Sequence, residues 1–259
     1  MSASFQRANK PKKPGKERLD VLLVERGLAP SRERARALLL AGQVRVAGAL
    51  ADKPGTQTPK DAPIEIVGER LRYASRAGLK LEGALEDFGV SVEGKICLDI
   101  GSSTGGFTDC LLQHGAAKVH PVDVTIDQLD WKLRQDPRVQ TIERNARHLR
   151  AEDVGEPVDL VTIDVSFISV AKILPAVVES AGPHAEFIVL VKPQFELEKR
   201  AVGKGGIVRD PASQERAVEQ VKAAAAGVGL EILAVQASRV LGAEGNQEFF
   251  LHARRPAVE

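Results

Sequence analysis

The stretch that most constrains this chain is Ile96-Cys97-Leu98-Asp99-Ile100-Gly101-Ser102-Ser103-Thr104-Gly105-Gly106. An apolar run, Ile96 to Ile100, ends in small residues, and Phe107 to Gln113 then reads as the first turns of a helix. Strand, tight turn and helix in this order form the repeating unit of a doubly wound sheet. Glycines in the turn remove the Cβ that would keep backbone N–H groups away from a nucleotide-like ligand. A phosphate-cradling loop would end in Gly-Lys-Ser/Thr, and this turn does not. A dinucleotide fingerprint would read G-x-G-x-x-G, whereas the small residues here fall at Gly101, Ser103 and Gly105, two apart, with Asp99 two before the first.

That register resembles the S-adenosylmethionine (SAM) loop of Rossmann-like methyltransferases. The resemblance implies that Asp99 accepts from the methionine ammonium, while Gly101, Ser103, Gly105 and Gly106 leave room for a ligand without a pyrophosphate. From Lys95 onward strands alternate with helices, as an α/β doubly wound sheet requires. Strands are expected at 96–100, 118–124, 139–142, 158–167 and 187–191, helices at 170–180 and 211–227, and a terminal strand pair at 230–235 and 247–252. Asp123, ending the second strand, stands where an acidic residue grips ribose hydroxyls in such folds. Asn145, after the third, is placed to meet an adenine edge. His120-Pro121 is an oddity, because proline costs a ladder bond inside a strand.

Charge divides the chain. Residues 1–80 hold 17 Lys and Arg against 8 Asp and Glu, a net +9, and the remaining 179 hold 19 against 27, a net −8. A basic front on an acidic body suggests that a polyanion is held at one end while chemistry proceeds at the other. Residues 1–16, rich in Lys, Pro and small polar residues, read as a disordered basic arm. Two short helices follow, the second capped by Ser31, and then a compact β turn through 43–48 and a strand near 63–67. Ser31-Arg32 and Ala41-Gly42-Gln43-Val44-Arg45-Val46-Ala47-Gly48 in this setting resemble the αL-type RNA-binding module of a small-subunit ribosomal protein, pseudouridine synthases and tyrosyl-tRNA synthetases. Arg18, Arg32, Arg34, Arg36 and Arg45 are its candidate phosphate contacts. The organisation expected is an arm at 1–16, an RNA-binding domain at 17–67, a linker at 68–76 and a catalytic domain at 77–259.

Two cysteines, Cys97 and Cys110, make neither a disulfide framework nor a zinc site, so no metal and a reducing cytoplasm are expected. No apolar run reaches the length of about eighteen residues that a membrane span needs. Chemistry concentrates at strand ends. Asp164 falls after the fourth strand, Lys192 after the fifth and Glu248 near the last, and carboxyl ends of neighbouring strands converge on one crevice. An amino-group methylase would show Asn/Asp-Pro-Pro-aromatic after the fourth strand, where this chain has Asp164-Val165-Ser166-Phe167. A cytosine-C5 methylase needs a nucleophilic cysteine near strands four or five, and both cysteines lie elsewhere. A lysine and carboxylate site suits a poorly acidic hydroxyl such as a ribose 2′-OH, whose proton a lysine can take where its surroundings favour the neutral amine.

Ser75-Arg76-Ala77-Gly78-Leu79-Lys80-Leu81, the loop from Leu98 to Asp109, Asp164-Val165-Ser166-Phe167-Ile168-Ser169, Val191-Lys192-Pro193-Gln194-Phe195-Glu196 and Gly205-Gly206-Ile207-Val208-Arg209-Asp210 together resemble the TlyA (haemolysin A) family. The resemblance implies an αL-type module fused to an FtsJ-like domain that 2′-O-methylates cytidine in ribosomal RNA with SAM. It puts a catalytic tetrad on Lys80, Asp164, Lys192 and Glu248. Lys204 and Arg209 lie on the long loop at the carboxyl end of the fifth strand, where such folds bind substrate, and are further RNA candidates. Two other readings stay open on sequence: a ribosome assembly factor that keeps the fold without catalysis, and a membrane-lysing protein, for which no strongly amphipathic helix speaks.

Overall fold

The computed structural model describes residues 15–40, 43–67, 72–198, 201–203, 205–242 and 245–256, which divide into two compact units either side of residue 70. Most of the arm, residues 1–14, the helix end expected at Gly42, part of the linker and Lys204 lie outside them.

The first unit opens with β1 (Lys16–Arg18), so the chain is already in a strand where the basic arm was expected to run on. There follow α1 (Leu19–Glu25), α2 (Arg32–Leu40), β2 (Val44–Val46), β3 (Ala49–Leu50), β4 (Gln57–Pro59) and β5 (Ile64–Ile66). β1 pairs antiparallel with β4, a two-stranded element the sequence did not suggest, and β2 lies between β3 and β5. α2 starts where expected, with Ser31 Oγ accepting from the Arg34 N–H at 3.2 Å. Leu19, Leu23, Ala35, Leu38, Leu39 and Val44 form the core.

A core this small leaves a unit of about fifty residues marginal, and a buried carboxylate supplements it. Asp20 is fully buried in α1. Arg18 donates to both of its oxygens at 3.0 Å, Arg32 to Oδ2 at 3.1 Å and Arg36 to Oδ2 at 3.4 Å. Hydrogen bonding from Arg18, followed by Arg32 and the charges of both, holds the Asp20 carboxyl well below the ordinary range against the opposing effect of burial. Three of the five arginines singled out from sequence are therefore gathered on one anion while remaining half exposed. Arg34 is half-buried, and Arg45 Nη1 donates to the Gly48 carbonyl at 3.0 Å across the β2–β3 turn.

The second unit runs α3 (Ala77–Phe88), β6 (Ile96–Ile100), α4 (Gly106–Gln113), β7 (Lys118–Asp123), α5 (Trp131–Gln135), β8 (Ile142–Glu143), α6 (Ala151–Val154), β9 (Leu160–Ile163), α7 (Leu174–Glu179), β10 (Glu186–Val191), α8 (Pro193–Glu196), α9 (Pro211–Gly227), β11 (Glu231–Ala237) and β12 (Phe249–Arg254). Its sheet is ordered β11-β12-β10-β9-β6-β7-β8, with β12 antiparallel to both neighbours and the pairs among β10, β9, β6, β7 and β8 parallel. Strand alternation sends Leu98 and Ile100 of β6 with Phe187, Val189 and Val191 of β10 into one layer with α7 and α9. Cys97, Ile188 and Leu190 face the other layer, with Leu81 and Leu85 of α3 and Phe107 and Leu111 of α4. Both faces of the central strands are covered, as parallel strands with continuous apolar runs require.

Two expectations need correction. The fourth strand ends at Ile163, not 167, because its neighbour β6 ends at Ile100, the residue paired with Ile163. The third is only Ile142–Glu143, preceded by a single bridge between Val119 and Val139. That brevity explains Pro121. The Val119 N–H donates to the Arg138 carbonyl, so by the two-residue period position 121 also turns its nitrogen toward the β8 side, and the partner strand has barely begun there.

Replacing Asp20 by Ala removes charge-assisted bonds worth about 2 kcal/mol net. Urea unfolding followed by proteolysis is expected to show the first unit opening at lower denaturant, with the second unit unchanged.

Candidate active site

β6 leaves the sheet toward α4 while β9 carries the chain to the opposite side, and the crevice between them is where a doubly wound sheet binds its ligand. Gly101 makes the turn with φ +84°, and a Cβ there would lie 2.5 Å from the Asp164 carbonyl oxygen. The N–H groups of Gly101 and Ser102 donate to the Val122 carbonyl at 2.9 and 3.2 Å. Ser103, also left-handed at φ +48°, donates its N–H to Asp123 Oδ2 at 2.8 Å. A cavity of about 510 Å³ opens beside this loop, lined by Gly101, Ser103, Asp123, Asn145, Asp164 and Phe167 among others.

The seven ligand-binding candidates separate accordingly. Gly101, Ser103, Asp123 and Asn145 line the cavity. Asp123 spends one acceptor site of each oxygen on the loop, at Ser103 N and Val124 N, and a carboxylate retains further lone pairs for ribose hydroxyls. Asn145 caps a 3₁₀ turn at Ala146–His148 through Oδ1, which leaves its amide N–H₂ as the group for a base edge. Asp99 is fully buried on the α4 side of β6, where Thr108 Oγ1 donates to it at 2.6 Å and Thr162 Oγ1 at 2.9 Å, so it braces the loop from beneath. Burial pushes its carboxyl up to about 6. Gly105 and Gly106 also serve packing: a Cβ at Gly105 would meet Leu133 Cδ1 at 2.3 Å, and one at Gly106 would meet Ser75 Oγ at 2.2 Å.

The four charged candidates form two ion pairs. Lys192 Nζ lies 2.5 Å from Asp164 Oδ1 and donates to Ser166 Oγ at 2.9 Å. Lys80 Nζ lies 2.6 Å from Glu248 Oε2. The side chains are only 12% and 15% exposed in the first pair, 12% and 2% in the second. Lys192 follows β10 directly and Glu248 precedes β12; since Val191 pairs with Phe249, Lys192 and Glu248 continue that register as opposite neighbours. Asp164 joins them because its N–H donates to the Ile100 carbonyl, one residue before Gly101. Two strand ends, one antiparallel strand start and α3 thus deliver all four groups to the carboxyl edge of the sheet.

Sequence reasoning missed two neighbours. Ser166, on a stretch read for Asp164 and for the family resemblance, accepts from Lys192. Phe167 is 92% exposed with φ +65°, its ring centroid 5.1 Å from that of Phe195. A phenylalanine three residues after a strand-end carboxylate was the available signal. Arg209 is exposed ahead of α9 and is not among the residues lining the cavity. Among the described residues no group of three His, Cys, Asp or Glu could hold a metal ion, and no helix is long and apolar enough to cross a membrane.

Fold and site define a Rossmann-type methyltransferase: a doubly wound sheet with an antiparallel strand inserted near one edge, a glycine loop at the crevice, and a carboxylate at the second strand end. FtsJ-like methyltransferase is the family matched over residues 73–255, and residues 17–58 match the S4 domain. A Bacillus subtilis (strain 168) protein, YqxC, provisionally described as an rRNA methyltransferase, is 49% identical over 93% of this chain and 86% of its own. The Mycobacterium tuberculosis (strain H37Rv) protein named 16S/23S rRNA (cytidine-2′-O)-methyltransferase TlyA is 48% identical over 92% and 89%. A solved structure from Streptococcus thermophilus, provisionally described as a hemolysin, superposes with a TM-score of 0.72 at 43% identity, covering 93% of this chain and 88% of that one. The chain belongs to the TlyA (haemolysin A) family of FtsJ-like methyltransferases with an S4 domain.

SAM is the cofactor, and the site fits it. The Ser102 hydroxyl is buried at the loop with no hydrogen-bond partner, and the cavity offers the carboxylate and amide that ribose and adenine call for. Bound there, SAM supplies an electrophilic methyl group.

Gly101→Ala forces a left-handed φ on a residue with a Cβ and pushes that Cβ into the Asp164 carbonyl, so calorimetry should show SAM affinity lowered about tenfold or more. Asp99 has a folded-state pKa above its unfolded value. Its contribution to stability is therefore full below about pH 4 and lost as pH rises toward 6, a difference of about 3 kcal/mol. Urea unfolding at pH 4.5 and 7 should show Asp99→Asn without this slope, and more stable relative to wild type at pH 7 than at pH 4.5.

Proposed function

We propose that this protein transfers the methyl group of SAM to a ribose 2′-hydroxyl of ribosomal RNA, with cytidine as the target nucleoside, in the cytoplasm. The observation that carries the reading is the pair of lysine–carboxylate contacts at the carboxyl edge of the sheet, one of whose members, Asp164, lines the cavity. Cytidine comes from the M. tuberculosis relative's name, and a ribose hydroxyl from the chemistry of the four side chains.

Lys192 is the general base. Asp164 and Ser166 hold Nζ in place, and a hydroxyl oriented by Asp164 would deliver its proton to Nζ in its neutral amine form as the oxygen attacks the methyl in line with sulfur. Lys80 and Glu248 are supporting charges that balance one another beside Lys192. Phe167 and Phe195 present an aromatic face on the Lys192 side, and such faces stack on unpaired bases.

Residues 17–67 hold RNA in this reading, through Arg18, Arg32, Arg34, Arg36 and Arg45, while 77–259 carry out the chemistry. Lys204 and Arg209 are further phosphate contacts in this reading. Ribosomal RNA, free or within a subunit, is the partner, with no metal taking part.

The test is transfer of labelled methyl from SAM to unmodified ribosomal subunits and free ribosomal RNA. Label is expected in a nuclease-resistant dinucleotide, the mark of a 2′-O-methyl group, with Lys192→Ala slowed about 10²- to 10⁴-fold. Methylation of a base, or wild-type turnover in the variant, would overturn the reading.

A further inference from the structure

Glu196 has no part in the chemistry above, yet it ends the segment that Lys192 begins. Its Oε2 accepts from Ser169 Oγ at 2.6 Å and its Oε1 from the Val170 N–H at 2.9 Å. Lys192, at the other end of α8, grips Asp164 and Ser166. Five residues, 192–196, thus hold the loop 164–170 at both of its ends, and Phe195 packs against Phe167 between them.

The loop needs such holding. Phe167 adopts a left-handed φ of +65°, a conformation costing about 1 kcal/mol or more for a bulky side chain and persisting only where the surroundings over-determine it. Its ring gains little from burial, being 92% exposed. Burial raises the Glu196 carboxyl above the ordinary range, with the bonds from Ser169 and Val170 acting in the opposite sense. A charge partly withdrawn from water is costly unless its hydrogen bonds are made.

We propose that Glu196 is a positioning residue: it ties the far end of the 164–170 loop to α8, so that Asp164 and Ser166 meet Lys192, and Phe167 its strained presentation, before substrate arrives. This rests on Lys192 being the base. Without Glu196 the Ser169 end is released, Phe167 relaxes toward negative φ and the Lys192–Asp164 contact loosens. Glutamine keeps the tie, since its amide oxygen can accept from Val170 and its N–H₂ can donate to Ser169 Oγ.

The experiment compares full-length wild type, Glu196→Ala, Glu196→Gln and Lys192→Ala on an RNA substrate the wild type methylates, together with SAM calorimetry and amide hydrogen exchange. Glu196→Ala is expected to lower kcat about 10- to 100-fold with a much smaller change in SAM affinity, and to speed exchange at the Val170 amide. Glu196→Gln should restore both kcat and protection. Wild-type turnover in Glu196→Ala beside an inactive Lys192→Ala would overturn the inference, as would a SAM affinity that falls in parallel with kcat, or a glutamine variant as slow as alanine. Wild-type turnover in Lys192→Ala would instead remove the assignment of the base, and the inference with it.

Discussion

Contact between the Gly101 turn and the Asp164 carbonyl is the constraint on which the second unit depends. A side chain at position 101 would drive apart the ends of β6 and β9, the two strands between which the crevice opens. From that contact follow the path of the loop over Val122, the clamp of Asp123 on Ser103, and the placement of Asp164 within reach of Lys192. Asp99 completes the arrangement from below by fastening α4, through Thr108, and β9, through Thr162, to the same strand.

Charge at the carboxyl edge is arranged as neutral pairs. An unpaired lysine or carboxylate this dry would be costly, and each here has a counterion at hydrogen-bond distance. Pairing also fixes direction: Lys192, at the end of β10, is held by Asp164 and Ser166 from the end of β9, so its location is set by two strand ends. A proton acceptor so held needs little reorganisation when a hydroxyl approaches, and it is orientation of this kind that makes proton transfer efficient.

Much of this was legible in the sequence because the relevant signals are local. Ile96–Ile100 and Pro211–Gly227 fall where apolar runs, proline and glycine put them, and Ser31 caps its helix as its position implies. The four charged candidates came from motifs, and in the structure they pair two by two. What escaped depends on partners distant in the chain. β1 and β4 are three residues each, Lys-Glu-Arg and Gln-Thr-Pro, with no alternation to mark them until they pair across some forty residues. Nothing local announces Thr108 and Thr162 as the donors to Asp99, nor that α3 and the Leu129–Leu133 stretch pack against Gly106 and Gly105.

The buried Asp20 of the first unit has a consequence in conformational entropy. A free arginine side chain on a surface samples many rotamers, and fixing one on a ligand costs on the order of 1–2 kcal/mol. Arg18, Arg32 and Arg36 are each tethered to one carboxylate at one edge of the guanidinium while the rest stays open to solvent. Their rotameric freedom has been surrendered to the fold itself, so an anion meeting this surface finds three donors already oriented and loses less of its binding energy to ordering them.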